Sequence, residues 1–108
     1  MTSSTLPEPV ARLIAAANAG NTDAFLDTFA ETGAVNDWGR VFTGRDAIRA
    51  WSDSEFIGVG VTLDVTAEIT TREHATVTAM VGGRGFNGQS HFSFTVANDL
   101  VTDMAITA

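Results

Sequence analysis

A run of strict alternation constrains this chain more than any other feature. Between residues 61 and 71, Val61, Leu63, Val65, Ala67 and Ile69 alternate with Thr62, Asp64, Thr66, Glu68 and Thr70. Successive side chains of a β-strand point to opposite faces, so a period of two predicts a strand with one buried and one wetted face. Residues 75–81 alternate again, Phe92, Phe94 and Val96 share one phase, and residues 101–107 close the chain. Turn residues separate these runs. Asn87-Gly88 tolerates the positive φ of a type I′ hairpin, and Asn98-Asp99 makes a second reversal. The second half therefore reads as a strand meander whose apolar face needs a cover.

The first half supplies helices to cover it. Pro7 or Pro9 suits a first helical turn, and Val10, Leu13, Ile14 and Ala17 follow at helical spacing. Gly20 reads as a left-handed cap. Asn21 or Thr22 caps a short second helix, with Asp23 in its first turn and Phe25, Leu26 and Phe29 facing inward. Residues 33–42 read as two short strands around a turn at Trp38-Gly39. Thr43-Gly44 opens a third helix, with Asp46 near its start and Ile48, Trp51 and Phe56 inward. Helices first and strands after predict an α+β fold, helices packed on one face of an antiparallel sheet. Its 108 residues fit one domain. Residues 1–5 read as a polar, flexible tail and 6–108 as the single domain.

Composition then narrows the chemistry. The chain has no Cys, no Lys and no Tyr, and thirteen acids against six Arg give a net charge of −7. These absences remove thiol nucleophiles, cysteine-held metals, Schiff bases and phenolic donors. An acidic chain with scattered Arg also disfavours nucleic acid and anionic membranes as partners. No apolar run approaches the roughly 18 residues of a membrane span, and the N-terminus lacks a signal pattern, so a cytoplasmic location is expected.

The element order and several strings resemble the nuclear transport factor 2-like superfamily, and within it the SnoaL-like branch related to ketosteroid isomerases and polyketide cyclases. The strings are Ala11-Arg-Leu-Ile-Ala-Ala-Ala-Asn-Ala-Gly20, Asp23-Ala-Phe-Leu26, Ala34-Val-Asn-Asp-Trp-Gly39, Phe42-Thr-Gly-Arg-Asp-Ala-Ile48 and Asp99-Leu-Val-Thr-Asp-Met-Ala-Ile106. The resemblance implies a curved sheet wrapped around the helices into a cone, with a pocket at its open end. It also implies a homodimer through the outer sheet face. By the same resemblance Asp37 falls where ketosteroid isomerases carry a proton-shuttling Asp. The worked logic of those enzymes, a base Asp plus a donor Tyr and a protonated donor Asp, sets the comparison. Here Leu13 stands where the Tyr belongs, and no acid lies near Phe92 to Phe94. Steroid isomerisation by that route is disfavoured, since each lost oxyanion donor costs about 3–4 kcal/mol.

Asp37 is thus the candidate catalytic residue, a general base made more competent by partial desolvation; its alternative is a local cap for the Trp38-Gly39 turn. The expected ligand is a small, largely apolar molecule, walled by Leu13, Ala17, Phe29, Val35, Trp38 and Trp51 from the first half. Phe56, Met80, Phe92, Phe94 and Met104 complete the wall, and plain core packing is the competing reading, favoured for Trp51 and Phe29. No cofactor and no metal is called for. His74 and His91, with no Cys, read as surface or dimer-interface residues unless a bulge near Gly88 turns His91 inward. Gly83-Arg-Gly-Phe-Asn-Gly88 matches G-x-G-x-x-G but has strands on both sides and no helix, so it reads as hairpin glycines, at most a lip over the pocket. Arg45 is expected in solvent and Asp103 on the outside. No Arg lies on the long inner strands, which disfavours the Asp–Arg–Asp chemistry of the superfamily's epoxide hydrolases. A cofactor-independent isomerase, cyclase or aldolase-like enzyme and a non-catalytic binding or dimerisation module both remain open.

Overall fold

The computed structural model describes residues 6–108; the expected tail at residues 1–5 lies outside them. Helix α1 (Glu8–Ala19) begins after Pro7 and ends at Gly20, whose φ of 69° provides the left-handed cap. Its Val10, Leu13 and Ala17 are buried. Helix α2 (Thr22–Asp27) is capped by Asn21, whose side chain accepts the Ala24 N–H at 3.1 Å. The Thr28 hydroxyl donates to the Phe25 carbonyl at 2.7 Å and closes that helix. Phe29, expected on the helix, is instead the first residue of strand β1 (Phe29–Asp37), although its ring is buried as anticipated.

Strand β1 turns into β2 (Arg40–Thr43) through Trp38 (φ 56°) and Gly39 (φ 92°). Two successive left-handed residues make the tight hairpin turn that matches strand twist. The Asn36 side chain accepts the Gly39 N–H at 2.7 Å and holds it. Helix α3 (Arg45–Glu55) and a single 3-10 turn, Ile57–Val59, then carry the chain to the far sheet edge. From there β3 (Thr62–Thr71), β4 (His74–Gly82), β5 (Gly88–Ala97) and β6 (Leu100–Thr107) run back as a meander. The strand order is β2-β1-β6-β5-β4-β3. Because the meander returns beside β1, the β1–β6 pair is parallel while all other pairs are antiparallel. The sheet is therefore mixed at one seam rather than wholly antiparallel.

The long alternation is interrupted where the sheet bends. The β3–β4 register slips between Val65 and Ala67, so Thr66 is an inserted residue. An inserted residue reverses the facing of everything beyond it. Val61 and Leu63 are buried as expected, but Ala67 and Ile69 point outward, and Ile69 is 69% exposed. Along β4 and β5 the alternation holds without a break. Ala75, Val77, Ala79 and Val81 are buried, as are Ser90, Phe92, Phe94 and Val96.

The β4–β5 connection differs from the expected two-residue hairpin. Val81 and Gly88 are the last residues paired between these two strands, Asn87 does not take a positive φ, and residues 83–87 form a longer loop. Asn87 instead donates its amide to the carbonyls of Gly83 (2.8 Å) and Gly85 (3.2 Å), folding the loop on itself. No helix follows these glycines, so they lack the helix N-terminus on which a dinucleotide-type phosphate site is built.

Helix α1 is fastened to the open edge of β3 by one side chain. Asn18 accepts the Leu63 N–H at 2.6 Å and donates to the Leu63 carbonyl at 3.0 Å, imitating a neighbouring strand. Inside, a relay of aromatic rings runs from α2 to the sheet. Phe25 contacts Phe29 (5.3 Å, edge-on) and Phe56 (5.6 Å), and Phe56 stacks on Trp51 at 4.9 Å and meets Phe92 at 6.5 Å. The outer face is hydroxyl-rich and carries both histidines. Thr78 Oγ1 lies 3.0 Å from His91 Nδ1, and Thr95 Oγ1 lies 3.4 Å from His74 Nδ1. Asp103 is exposed, as its phase predicted. Among the described residues no helix is long and apolar enough to cross a membrane.

Candidate functional site

One rung of the sheet sets the site. Asp37 pairs with Ile106 across the parallel seam, and Ile106 pairs with Phe92 on β5. These three side chains face the same side, toward α3, at the end where the Trp38-Gly39 turn and the β4–β5 loop rise above the sheet. A half-open cavity of about 340 Å³ fills that space. Its apolar wall includes Phe56, Val59, Val61, Val81, Phe92 and Ile106, and its polar side holds Asp37, Arg40 and Glu55. Trp38 and Phe86 border it from their two loops and are 61% and 52% exposed.

The Asp37 carboxylate is only 14% exposed. Its Oδ2 accepts two hydrogen bonds, from Arg40 at 2.6 Å and from the Trp51 indole N–H at 3.1 Å. Its Oδ1 takes none among the described residues. The hairpin brings Arg40 back beside Asp37, since the two are the last pair before the turn. Arg40 also reaches the C-terminal end of α3, where its two terminal nitrogens contact Glu55 at 2.9 and 2.7 Å. The hydrogen bond to Glu55, with the charges of Glu55 and Asp37 adding to it, pushes the Arg40 pKa above its ordinary range despite some desolvation. Reciprocally, the Arg40 hydrogen bond holds the Glu55 carboxyl below its usual value. Arg40 packs its guanidinium 5.7 Å from the Phe42 ring centre as well.

The expected site residues divide sharply. Asp37, Trp38, Trp51, Phe56 and Phe92 all border the cavity. Leu13, Ala17, Phe29, Val35, Phe94 and Met104 are buried but do not line it; they are the packed core beneath. Met80 lies elsewhere altogether. It shares the outward phase of Thr76 and Thr78 on β4 and is 49% exposed, because the buried phase of that strand belongs to Ala79 and Val81. Arg45, expected in solvent, folds back to donate twice to the Phe29 carbonyl, at 3.2 and 2.6 Å. That carbonyl sits where β1 breaks register with β6, so Arg45 satisfies an acceptor the seam leaves open. His91 stays on the outer face, because the β4–β5 register runs unbroken from Gly88.

Several bordering residues were not singled out from the sequence: Glu55, Val59, Val61, Val81, Ser90 and Ile106. Val61, Val81 and Ile106 carried a signal in their inward strand phase. Ser90 shares the phase of Phe92 and could have been found the same way. Glu55, at a helix end, had none.

A family model for the SnoaL-like domain matches residues 10–104. The chain belongs to the SnoaL-like family. No curated protein matches it. Among solved structures, this SnoaL-like domain is similar to a protein from Sinorhizobium meliloti provisionally named a polyketide cyclase. The two are 26% identical with a TM-score of 0.86, over 99% of this chain and 100% of that one. It also resembles a protein of ketosteroid isomerase-like fold from Catenulispora acidiphila, solved in complex with trimethylamine. There the identity is 25% and the TM-score 0.80, over 96% of this chain and 87% of the other. A cystatin-fold protein from Novosphingobium aromaticivorans shares the fold at 12% identity, with a TM-score of 0.84 over 98% and 100% of the two chains. Membership of the SnoaL-like family supports a ligand-binding or isomerase/cyclase-type role.

Proposed function

We propose that the pocket binds a small, largely apolar organic molecule carrying a carbonyl group, and that Asp37 acts on it as a general base. The observation that supports this most is the asymmetry of the Asp37 carboxylate. One oxygen is held by Arg40 and the Trp51 indole, which fixes the plane of the group, while Oδ1 is left free at the wall of an apolar cavity. A base positioned this way can take a proton from the carbon next to a ligand carbonyl. The C–H electron pair becomes the C=C bond of an enolate, and the carbonyl π pair moves onto oxygen. Where a C=C adjoins that carbon the enolate is a dienolate, and return of the proton from Asp37 to its far carbon shifts the double bond and isomerises the molecule. Attack of the enolate carbon on a second carbonyl forms a C–C bond and an alkoxide, which takes the proton back from Asp37 and leaves a cyclised alcohol. General-base help of this kind contributes about 10²–10⁴-fold in rate.

Binding is tested by titrating 2-tetralone, a two-ring ketone with acidic α-hydrogens, into the protein and following the two indole N–H signals by NMR. Both Trp38 and Trp51 border the cavity, so saturable shifts in both signals are expected. Unshifted indole signals would contradict the reading. The base role is tested by exchange of the α-hydrogens for deuterium, in wild type and Asp37→Asn.

A second reading is a binding module without catalysis. The hydrogen bonds of Asp37 to Arg40 and Trp51 favour it, because they already give the carboxylate a structural role, tying the β1–β2 hairpin to α3. Ligand binding without any acceleration of exchange supports that alternative.

A further inference from the structure

Three polar side chains are buried among the described residues: Thr28, Ser52 and Ser90. Two have evident partners. Thr28 donates to the Phe25 carbonyl, and Ser52 receives the Ile57 N–H at 3.4 Å. Ser90, 2% exposed, has a hydroxyl that forms no hydrogen bond with any other described residue. It is not sealed in protein either, since among the described residues the enclosed side-chain oxygen left without a partner is that of Thr70. Ser90 instead borders the cavity, beside Phe92 and Val81. A hydroxyl without a partner in an apolar setting is costly, and such groups in native proteins generally meet a water or a ligand.

The register places this hydroxyl relative to Asp37. Phe92 lies two strands from Asp37 on the same rung, and Ser90 lies two residues further along β5, toward the β4–β5 loop. Standard strand spacing and rise put the two Cα atoms about 12 Å apart. Both residues border the same cavity, and side chains turned toward each other across it narrow that separation to what a carbonyl oxygen and its adjacent carbon, with their two contacts, can bridge.

We infer that Ser90 is the donor that receives the ligand's carbonyl oxygen, so that the pocket selects ketones over hydrocarbons of the same shape. Asp37 then meets the α-hydrogens from the opposite side, and charge developing on oxygen falls on the Ser90 O–H. This rests on the apolar-pocket reading above and adds the recognised group and the residue that recognises it.

The test compares 2-tetralone with tetralin, the matching hydrocarbon, by NMR titration against wild type, Ser90→Ala, Ser90→Thr and Asp37→Asn. Wild type should prefer the ketone by about tenfold, the worth of one buried hydrogen bond. Ser90→Ala should bind both compounds equally, Ser90→Thr should restore the preference, and Asp37→Asn should keep it. Thermal melts of all four proteins identify any variant that fails to fold, and Ser90→Thr then decides through retention of the preference. A ketone preference that survives in Ser90→Ala overturns the assignment, as does equal binding by wild type. If wild type binds neither compound, the apolar-pocket reading itself fails, and the Ser90 assignment with it.

Discussion

The indole N–H of Trp51 donates to Oδ2 of Asp37 at 3.1 Å, joining the middle of α3 to the end of β1. The ring of that same Trp51 stacks on Phe56 at 4.9 Å. One side chain thus serves the core with its face and the candidate site with its edge. An amphipathic aromatic suits this position, because its N–H finds a partner when the ring is buried. The two sequence readings of Trp51, core residue and pocket wall, are both satisfied by one orientation.

Trp51→Phe should separate those two services. The ring stacking survives in part while the hydrogen bond disappears, so stability should fall by about 1–2 kcal/mol in urea titrations. Asp37 would then be held by Arg40 alone. The exchange rate should drop while ketone binding is largely kept, which NMR titration of the variant checks.

The Arg40–Glu55 pair predicts a pH dependence with a defined sign. The folded pKa of Glu55 is lowered, so its contribution is complete above the unfolded value of about 4.3. It is lost as pH falls through the lower folded value. Both partners are well exposed, so the effect should stay under about 1 kcal/mol. Urea midpoints for wild type and Glu55→Gln should differ at pH 6 and converge near pH 3.

Gly58→Ala should be among the most damaging single-methyl changes. A Cβ there would overlap the backbone carbonyl of Asp53, which cannot move without unwinding the end of α3. Neighbouring Val59 borders the cavity, so the pocket should be disturbed with the fold. A loss of about 3 kcal/mol or more is expected, read from denaturant unfolding.

Asn18→Ala should cost about 1–2 kcal/mol, because it leaves both backbone groups of Leu63 without their side-chain partner at a sheet edge. Hydrogen exchange at the Leu63 amide should speed up more than at amides of β5.

Ile69→Thr should change stability by less than about 0.5 kcal/mol. Unbroken alternation from residue 61 would bury Ile69 and make the change severe. The inserted residue at Thr66 puts it outside, and a thermal melt distinguishes the two.

Ile69 also marks the boundary of what periodicity can tell. Alternation was legible along β4 and β5, where register is unbroken, and it located most of the inward phase correctly. It failed past Thr66 because a bulge leaves no mark in the hydrophobic pattern: the alternation continues while the faces exchange. The helix caps at Gly20 and Asn21 were legible because each depends on a local backbone need. The parallel β1–β6 seam was not, since strand pairing across the chain has no local signature. Arg45 shows the same limit. Its carbonyl partner exists only because that seam breaks register, so nothing near position 45 announces it.

For the site, Asp37 was legible only through family likeness, and its hydrogen bonds were not legible at all. They depend on α3 crossing above β1, which brings Trp51 and Glu55 to residues 14 and 15 positions earlier in the chain. Met80 was misplaced by treating a large apolar residue as an inward one; the small Ala79 holds that phase.

The most direct test of the account is the rate at which the protein exchanges the α-hydrogens of 2-tetralone for deuterium, followed by proton NMR. Wild type should accelerate exchange over buffer, and Asp37→Asn, shown to be folded by its melting curve, should lose at least about 10²-fold of that acceleration. Equal acceleration by wild type and a folded Asp37→Asn would contradict it.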